Sequence, residues 1–204
     1  INARSSTAGG GDGIHIQRSH HIWVNHVEIY DAPDGNLDIN DASNWVTVSW
    51  SKFRYSSNPP AADHRYSNLV GSGPAATQDR NRLKITYHHN WWVERIHERM
   101  PRVRFGQVHV FNNYYTSSGN NYCIRAGIEA DIRIENNYFE GVGKPHEIDD
   151  GEGRATAVTS SGNEYPGSSG ARDTRGTAFS PPYAYSAESA SSARSAVQAN
   201  AGPQ

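Results

Sequence analysis

The chain has 204 residues, a formal net charge of -2 and 35% hydrophobic residues. That is enough for one domain with a tail, and it excludes the overall basic field that marks nucleic-acid binding. Its 19 glycines, 11 tyrosines and 5 tryptophans favour a β-rich, turn-rich fold over a helical bundle, and its single cysteine, Cys123, excludes an internal disulfide or a multi-cysteine metal site.

The opening stretch, INARSSTAGGGDG, carries neither a methionine nor an apolar signal core, so the chain reads as a mature form or a fragment. No apolar run is long enough to cross a bilayer. One short pattern then recurs along the chain. Its copies are IWVNHVEI from Ile22, VTVSWSKF from Val46, LKITYHHNWW from Leu83, VHVFNNYY from Val108 and IRIENNYFEG from Ile132, with a weaker VTSSGNEY from Val158. Each opens with the apolar–polar alternation of a half-buried strand. The long interval between the second and third copies is assigned to an inserted polar loop, YSSNPPAADHRYSN. The pairs Asn112–Asn113 and Asn136–Asn137 follow their strands at the same place, where asparagine turns the chain and stacks its amides from unit to unit.

Units of this length, with strands and no helical periodicity, predict an all-β fold, the parallel β-helix, over residues 1–170. A β-sandwich would not require strand and turn to recur in phase. Cys123, in the apolar run YCI, reads as a buried structural thiol. Residues 171–204 form an irregular C-terminal tail rich in Ala and Ser. A short helix is expected there from a Ser186 cap to about Asn200, packed on the solenoid; the other reading of the tail is disorder.

Two constellations carry chemistry. In PDGNLDI, Asp34 and Asp38 lie four apart, and strand parity sends Asp38 away from the core; Asp12 of GGGDGIHI falls one coil earlier. Three carboxylates on adjacent coils repel unless a cation lies between them, and hard oxygen ligands suit calcium. In HERMPRVRF, Pro101 bars a helix, and Arg102 and Arg104 share the solvent face, while the direction of Arg99 cannot be read from parity. Guanidinium forks of this kind take carboxylates, which points to an acidic polymer; a solvated face paired with Glu94 and Glu98 is the plainer reading. The pairs His20–His21 and His88–His89 are sent to opposite faces by alternation, so they make no zinc site. GGGDG lacks the ending of a phosphate loop. Trp91 and Trp92 could stack on sugars, with at least one of them in the core.

Taken together, GDGIHI, HHIWVNHVEI, DGNLDI, NWVTVSWSKF, DHRYSNLVGSG, LKITYHHNWW, RMPRVRFGQVHVFNNYY and IRIENNYFEG resemble, in order, the motifs of the pectate lyase family, and SPPYAYSAE and AGP resemble its bacterial C-terminal ends. The resemblance covers essentially the whole chain. It implies a right-handed parallel β-helix that cleaves polygalacturonate, an acidic polysaccharide, by β-elimination with Ca2+. It further implies calcium-binding roles for Asp12, Asp34 and Asp38, the catalytic base for Arg99 and a substrate carboxylate contact for Arg104. Arginine is ordinarily fully protonated; in the family, neighbouring cations favour its neutral form, which implies activity rising toward alkaline pH.

Two departures qualify this. Where the family carries a lysine that binds substrate, three residues after the aspartate of its DH motif, this chain has Tyr66, with Arg65 beside it. Arg65 supplies the charge only if the loop shifts by one residue, and Tyr66 would otherwise stack on a sugar or accept a less charged uronate. Members also carry earlier coils before GDGIHI, so a separate N-terminal segment completing the β-helix is an expected partner. The alternatives are a lyase of methylated pectin or another uronan, and a non-catalytic β-helical polysaccharide-binding protein. Pectin-like polymers imply a secreted, extracellular location.

Overall fold

The chain is described by a computed structural model covering Ile1 and residues 11–204; the rest of the opening stretch, residues 2–10, lies outside the described residues. Three parallel sheets form the walls of a parallel β-helix. The first is built from β1 (Ile14–Gln17), β4 (Gly35–Asn40), β7 (Tyr66–Val70), β10 (Arg102–Val103), β13 (Ile124–Ala126) and β16 (His146–Ile148). The second is built from β2 (His20–Asn25), β5 (Asn44–Ser49), β8 (Lys84–His88), β11 (Gln107–Phe111), β14 (Asp131–Glu135) and β17 (Ala157–Ser161). The third holds β3 (Glu28–Tyr30), β6 (Lys52–Arg54), β9 (Trp91–Trp92), β12 (Tyr114–Tyr115) and β15 (Tyr138–Phe139).

Identical parity in each coil stacks like on like. Ile22, Val46, Ile85, Val108, Ile132 and Val158 are register partners along the second sheet. The third copy of the repeat is therefore aligned on Ile85, not on Leu83, whose φ of 53° lies outside strand geometry. On the third sheet a column of rings fills the interior, Phe53 on Trp92, Trp92 on Tyr115 and Tyr115 on Phe139, with centroids 5.5, 4.6 and 4.3 Å apart. Each such side chain contributes roughly 1.5–3 kcal/mol by leaving water. Trp92 is thus core, while Trp91 lies outside, half-buried against Tyr114. Cys123 is fully buried.

The asparagine turns form a ladder. Asn90 donates to Asn113, Asn113 to Asn137 and Asn137 to Asn163, each through both its backbone and side-chain nitrogens at 2.8–3.1 Å. The extra length of the third coil falls elsewhere than expected. The chain needs residues 71–83, with a 3-10 turn at Thr77–Asp79, to pass from β7 to β8, whereas 41–43 and 104–106 suffice at the same corner in the coils on either side. The polar run from Tyr55 has counterparts of similar length in the next coils.

The tail is hydrogen-bonded to the solenoid. Tyr183 Oη meets Thr86 Oγ1 and His109 Nδ1 at 2.7 and 2.8 Å, and Tyr185 donates to Glu135 at 2.6 Å. The helix α1 (Ala190–Asn200) starts later than expected because Ser189, not Ser186, caps it, its hydroxyl accepting from Ser192 N. Val197 packs it against Tyr114, Trp91 and Tyr138.

Candidate active site

The acids and arginines of both constellations, with Arg65 and Tyr66, lie along the first sheet, on four successive coils. Asp12 precedes β1, Asp34 precedes β4 and Asp38 lies within it, Arg65 precedes β7 and Tyr66 begins it, and Arg99 and Arg104 flank β10, which Arg102 begins. Acids occupy one end of the row and arginines the middle.

Asp38 and Asp12 converge because β4 begins at a glycine. A Cβ on Gly35 would stand 2.6 Å from Asp38 Oδ1 and 2.9 Å from Asp12 Oδ1, so a side chain there would push the two carboxylates out of this position. Asp38 accepts from Leu69 N at 3.1 Å, and His15 Nδ1 lies 3.3 Å from Asp12 Oδ2. Asp12 Oδ1 is buried with no hydrogen-bond donor among the described residues. Burial, reinforced by the charge of Asp12, pushes the Asp38 carboxyl up to about 8. Burial also raises Asp12, against the pull of His15. An orphaned oxygen and two buried carboxyls, both raised and converging on one point, are what a hard-cation site looks like with only its protein ligands in view. Asp34 is the exposed member: its side chain is 55% exposed and accepts from His64 Nε2 at 2.9 Å, while its charge helps raise both Asp12 and Asp38.

Arg99 has a φ of 65°, which is why parity could not orient it. Its backbone carbonyl accepts from Asn68 N, fixing it across β7. Its guanidinium lies over the Tyr66 ring, 4.3 Å from the centroid, and the other neighbour of that ring is His64, at 3.9 Å. Arg99 Nε is buried without an acceptor among the described residues, as is Nε of Arg65. The Tyr66 ring thus carries the Arg99 guanidinium on one side and has the His64 imidazole beside it.

Arg104 is directed outward, as parity requires, yet only 6% exposed. Glu152 takes its Nε and Nη2 at 2.7 and 3.0 Å, and Nη1 donates to the carbonyls of Gly71 and Ser72 at 3.2 and 3.4 Å. Gly71, at φ 80°, lets the two backbones lie close here, since a Cβ there would stand 2.8 Å from the Arg104 carbonyl oxygen. Arg102 Nη2 reaches Glu152 at 2.9 Å and Asp149 at 3.6 Å. Arg125, the register partner of Arg102, pairs with Glu147 and Asp149. The plainer pairing with Glu94 and Glu98 does not occur: Glu94 binds Arg95, and Glu98 accepts from Asn121. Arg102 and Arg104 are balanced instead by acids of a later turn, Asp149 and Glu152. Sequence reading passed over these and Arg125; the register of Arg125 on Arg102 was the available signal.

The histidine pairs depart from alternation. His21 and His89 have φ of 57° and 55°, so each pair turns ring to ring, with Nδ1 atoms 2.8 and 2.9 Å apart. No cluster of three or more His, Cys, Asp or Glu side chains suited to a metal is found among the described residues. A cavity of about 330 Å³, lined by Trp45, Thr86, His109 and Tyr183, lies under the tail on the second sheet, away from the arginines.

A family profile described as pectate lyase matches residues 4–204. A pectate trisaccharide-lyase of Thermotoga maritima is 40% identical over 123 residues, which are 59% of this chain and 30% of that protein. A probable pectate lyase A of Aspergillus fumigatus is 32% identical over 99% of this chain and 60% of its own length. Among solved structures, a pectate lyase from a Bacillus species in complex with trigalacturonate superposes with a TM-score of 0.81 at 29% identity, over 95% of this chain and 63% of that one. The chain thus spans between about a third and three-fifths of the length of these curated relatives. With motif order, solenoid and profile in agreement, the chain belongs to the pectate lyase family.

Proposed function

We propose that this chain carries the active site of a calcium-dependent pectate lyase that cleaves α-1,4-polygalacturonate by β-elimination, acting outside the cell. The observation that carries the reading is the meeting of the Asp12–Asp38 pair, one oxygen orphaned, with an Arg99 guanidinium close enough to act electrostatically on both acids. Calcium, when bound, would neutralise a uronate carboxyl and so acidify the neighbouring C5–H; Asp12 and Asp38 would hold it, with Asp34 at the rim. Arg99, seated on Tyr66, would accept the C5 proton at a guanidine nitrogen. The electron pair then forms the C4–C5 double bond as the C4–O4 bond breaks, and O4 leaves as a hydroxyl with a proton from solvent. Arg104 and Arg102 would orient the uronate carboxylates by charge-assisted hydrogen bonds.

The test is the ultraviolet absorbance of the 4,5-unsaturated product on polygalacturonate at alkaline pH, with calcium and with chelator. Product should require calcium, and Arg99→Ala should lower the rate by about 10²–10⁴-fold. Binding without product, in the presence of calcium, would turn the reading to a non-catalytic polysaccharide-binding protein. One observation favours a second reading, a lyase of methylated pectin or another uronan: at the Tyr66 position an aromatic ring takes the place of a cation. Product from methyl-esterified pectin but not from polygalacturonate would establish it.

A further inference from the structure

Arg104 is the arginine that the proposed function assigns to a substrate carboxylate, yet it has no complete fork to give. A guanidinium carries five N–H groups, and a carboxylate is gripped bidentately by two that lie parallel on one edge. The Nε–Nη2 edge is taken by Glu152, at 2.7 and 3.0 Å. The adjoining edge is broken because Nη1 donates to the carbonyls of Gly71 and Ser72. Glu152 holds Arg102 as well, at 2.9 Å. A carboxylate held by two arginines on the outer face of the first sheet reproduces the chemistry of a bound uronate.

We infer that Glu152 is an internal occupant of the uronate fork, which a substrate carboxylate displaces on binding. Glu152 thereby sets how strongly the enzyme prefers acidic over esterified sugar at that position. The inference rests on the reading of Arg104 as a substrate contact. The turn that carries Glu152 is anchored independently of it. Asp150 is held by Arg175 at 2.6 and 2.7 Å and caps Ala155 N, and Asp149 N donates to Ala126 O. Only the Glu152 side chain, itself 31% exposed, has to swing away, while the backbone stays in place. An incoming uronate exchanges one carboxylate for another, so Arg104 is never left buried without a counter-charge, the costly state for a desolvated guanidinium. A methyl-esterified residue lacks the charge to make that exchange.

The experiment is calorimetric titration of trigalacturonate, and of its methyl ester, into the protein carrying Arg99→Ala to prevent turnover. Adding Glu152→Gln should tighten trigalacturonate by about three- to tenfold, the range for loss of one partly exposed ionic competitor, and leave the ester unchanged. Glu129→Gln removes an equal charge from an exposed pair with Arg80 and should change neither. Should Glu152→Gln fail to fold, Glu152→Asp, too short to span the fork, carries the same expectation. Arg104→Ala separates the two levels of the argument. If it weakens trigalacturonate while Glu152→Gln weakens it or leaves it unchanged, the inference falls and Glu152 is merely an anchor for Arg104. Equal tightening by Glu129→Gln, or equal tightening of acid and ester, also overturns it. If Arg104→Ala has no effect, the inference and the role given to Arg104 fall together.

Discussion

Asp12 and Asp38 stand on neighbouring coils with one oxygen of each aimed at the same point, 2.9 and 2.6 Å from where a Gly35 Cβ would be. Two carboxyls in this position have opposite preferences in the presence and absence of a cation, and that difference can be measured as stability.

In the calcium-free protein, the Asp38 carboxyl is raised from 3.8 to about 8, by burial and then by Asp12. A carboxyl whose folded value is raised favours folding while protonated. Its contribution is full below about 4 and is lost as the pH climbs through about 8. The thermal midpoint of chelated protein should therefore fall between pH 5 and pH 9, with Asp12 adding in the same direction. Calcium should flatten that fall by supplying the counter-charge, and Asp38→Asn should flatten it without calcium. Unfolding scans at three pH values, with chelator and with calcium, decide it. A midpoint that rises across this range in chelator would mean that the pair is compensated by another group.

Asp34 should matter less than its two partners. It is 55% exposed and bonded to His64, whereas Asp12 and Asp38 are 6% exposed or close to it. Calcium titrations should show Asp12→Asn and Asp38→Asn weakening binding by at least about tenfold, roughly 1.4 kcal/mol, and Asp34→Asn by clearly less. Equal losses would show that Asp34 turns inward when the ion binds.

Tyr66 supports Arg99 through its ring, so its hydroxyl should be dispensable. Cation–π contacts of this kind are worth about 0.5–2 kcal/mol. Tyr66→Phe should leave kcat within about twofold, and Tyr66→Ala should lower kcat more than it raises KM, because it frees the group that must be aimed at C5. Steady-state kinetics on polygalacturonate separate the two parameters. A loss in Tyr66→Phe equal to that in Tyr66→Ala would assign the function to the hydroxyl instead.

Much of this site was legible before any coordinates. Alternation placed Asp38 and Arg104 on the outer face, and the recurrence of Asn113 and Asn137 placed the turns, because in a solenoid a local pattern is repeated in register. What escaped the sequence follows from two physical causes. Residues in left-handed backbone, Arg99, His21 and His89, break the period on which parity depends. Partners supplied by distant turns, Glu152 to Arg104 and Ser43 O to Leu83 N, depend on corner lengths that composition does not encode. The pairing of Arg104 with an acid forty-eight residues later is of this second kind.

Asn113 should be worth more to stability than any single core methyl group. It is fully buried, and its amide donates to Tyr87 O, Phe111 O and Asn137 Oδ1 while its oxygen accepts twice from Asn90. Asn113→Ala leaves Asn90 N without its side-chain acceptor and removes one donor each from Tyr87 O, Phe111 O and Asn137 Oδ1, the last of which keeps Asn113 N; each buried group left unsatisfied inside the solenoid costs about 1–3 kcal/mol. Denaturant unfolding should show a loss of about 3 kcal/mol or more, with calcium and trigalacturonate affinities nearly unchanged, since the ladder lies on a different corner from the first sheet. Asn113→Asp tests the same point with its shape kept: the acceptor survives, the donors are lost, and a buried charge is added. It should be at least as damaging as alanine. A loss below about 1 kcal/mol in Asn113→Ala would mean that water enters the coil and takes over the ladder's hydrogen bonds.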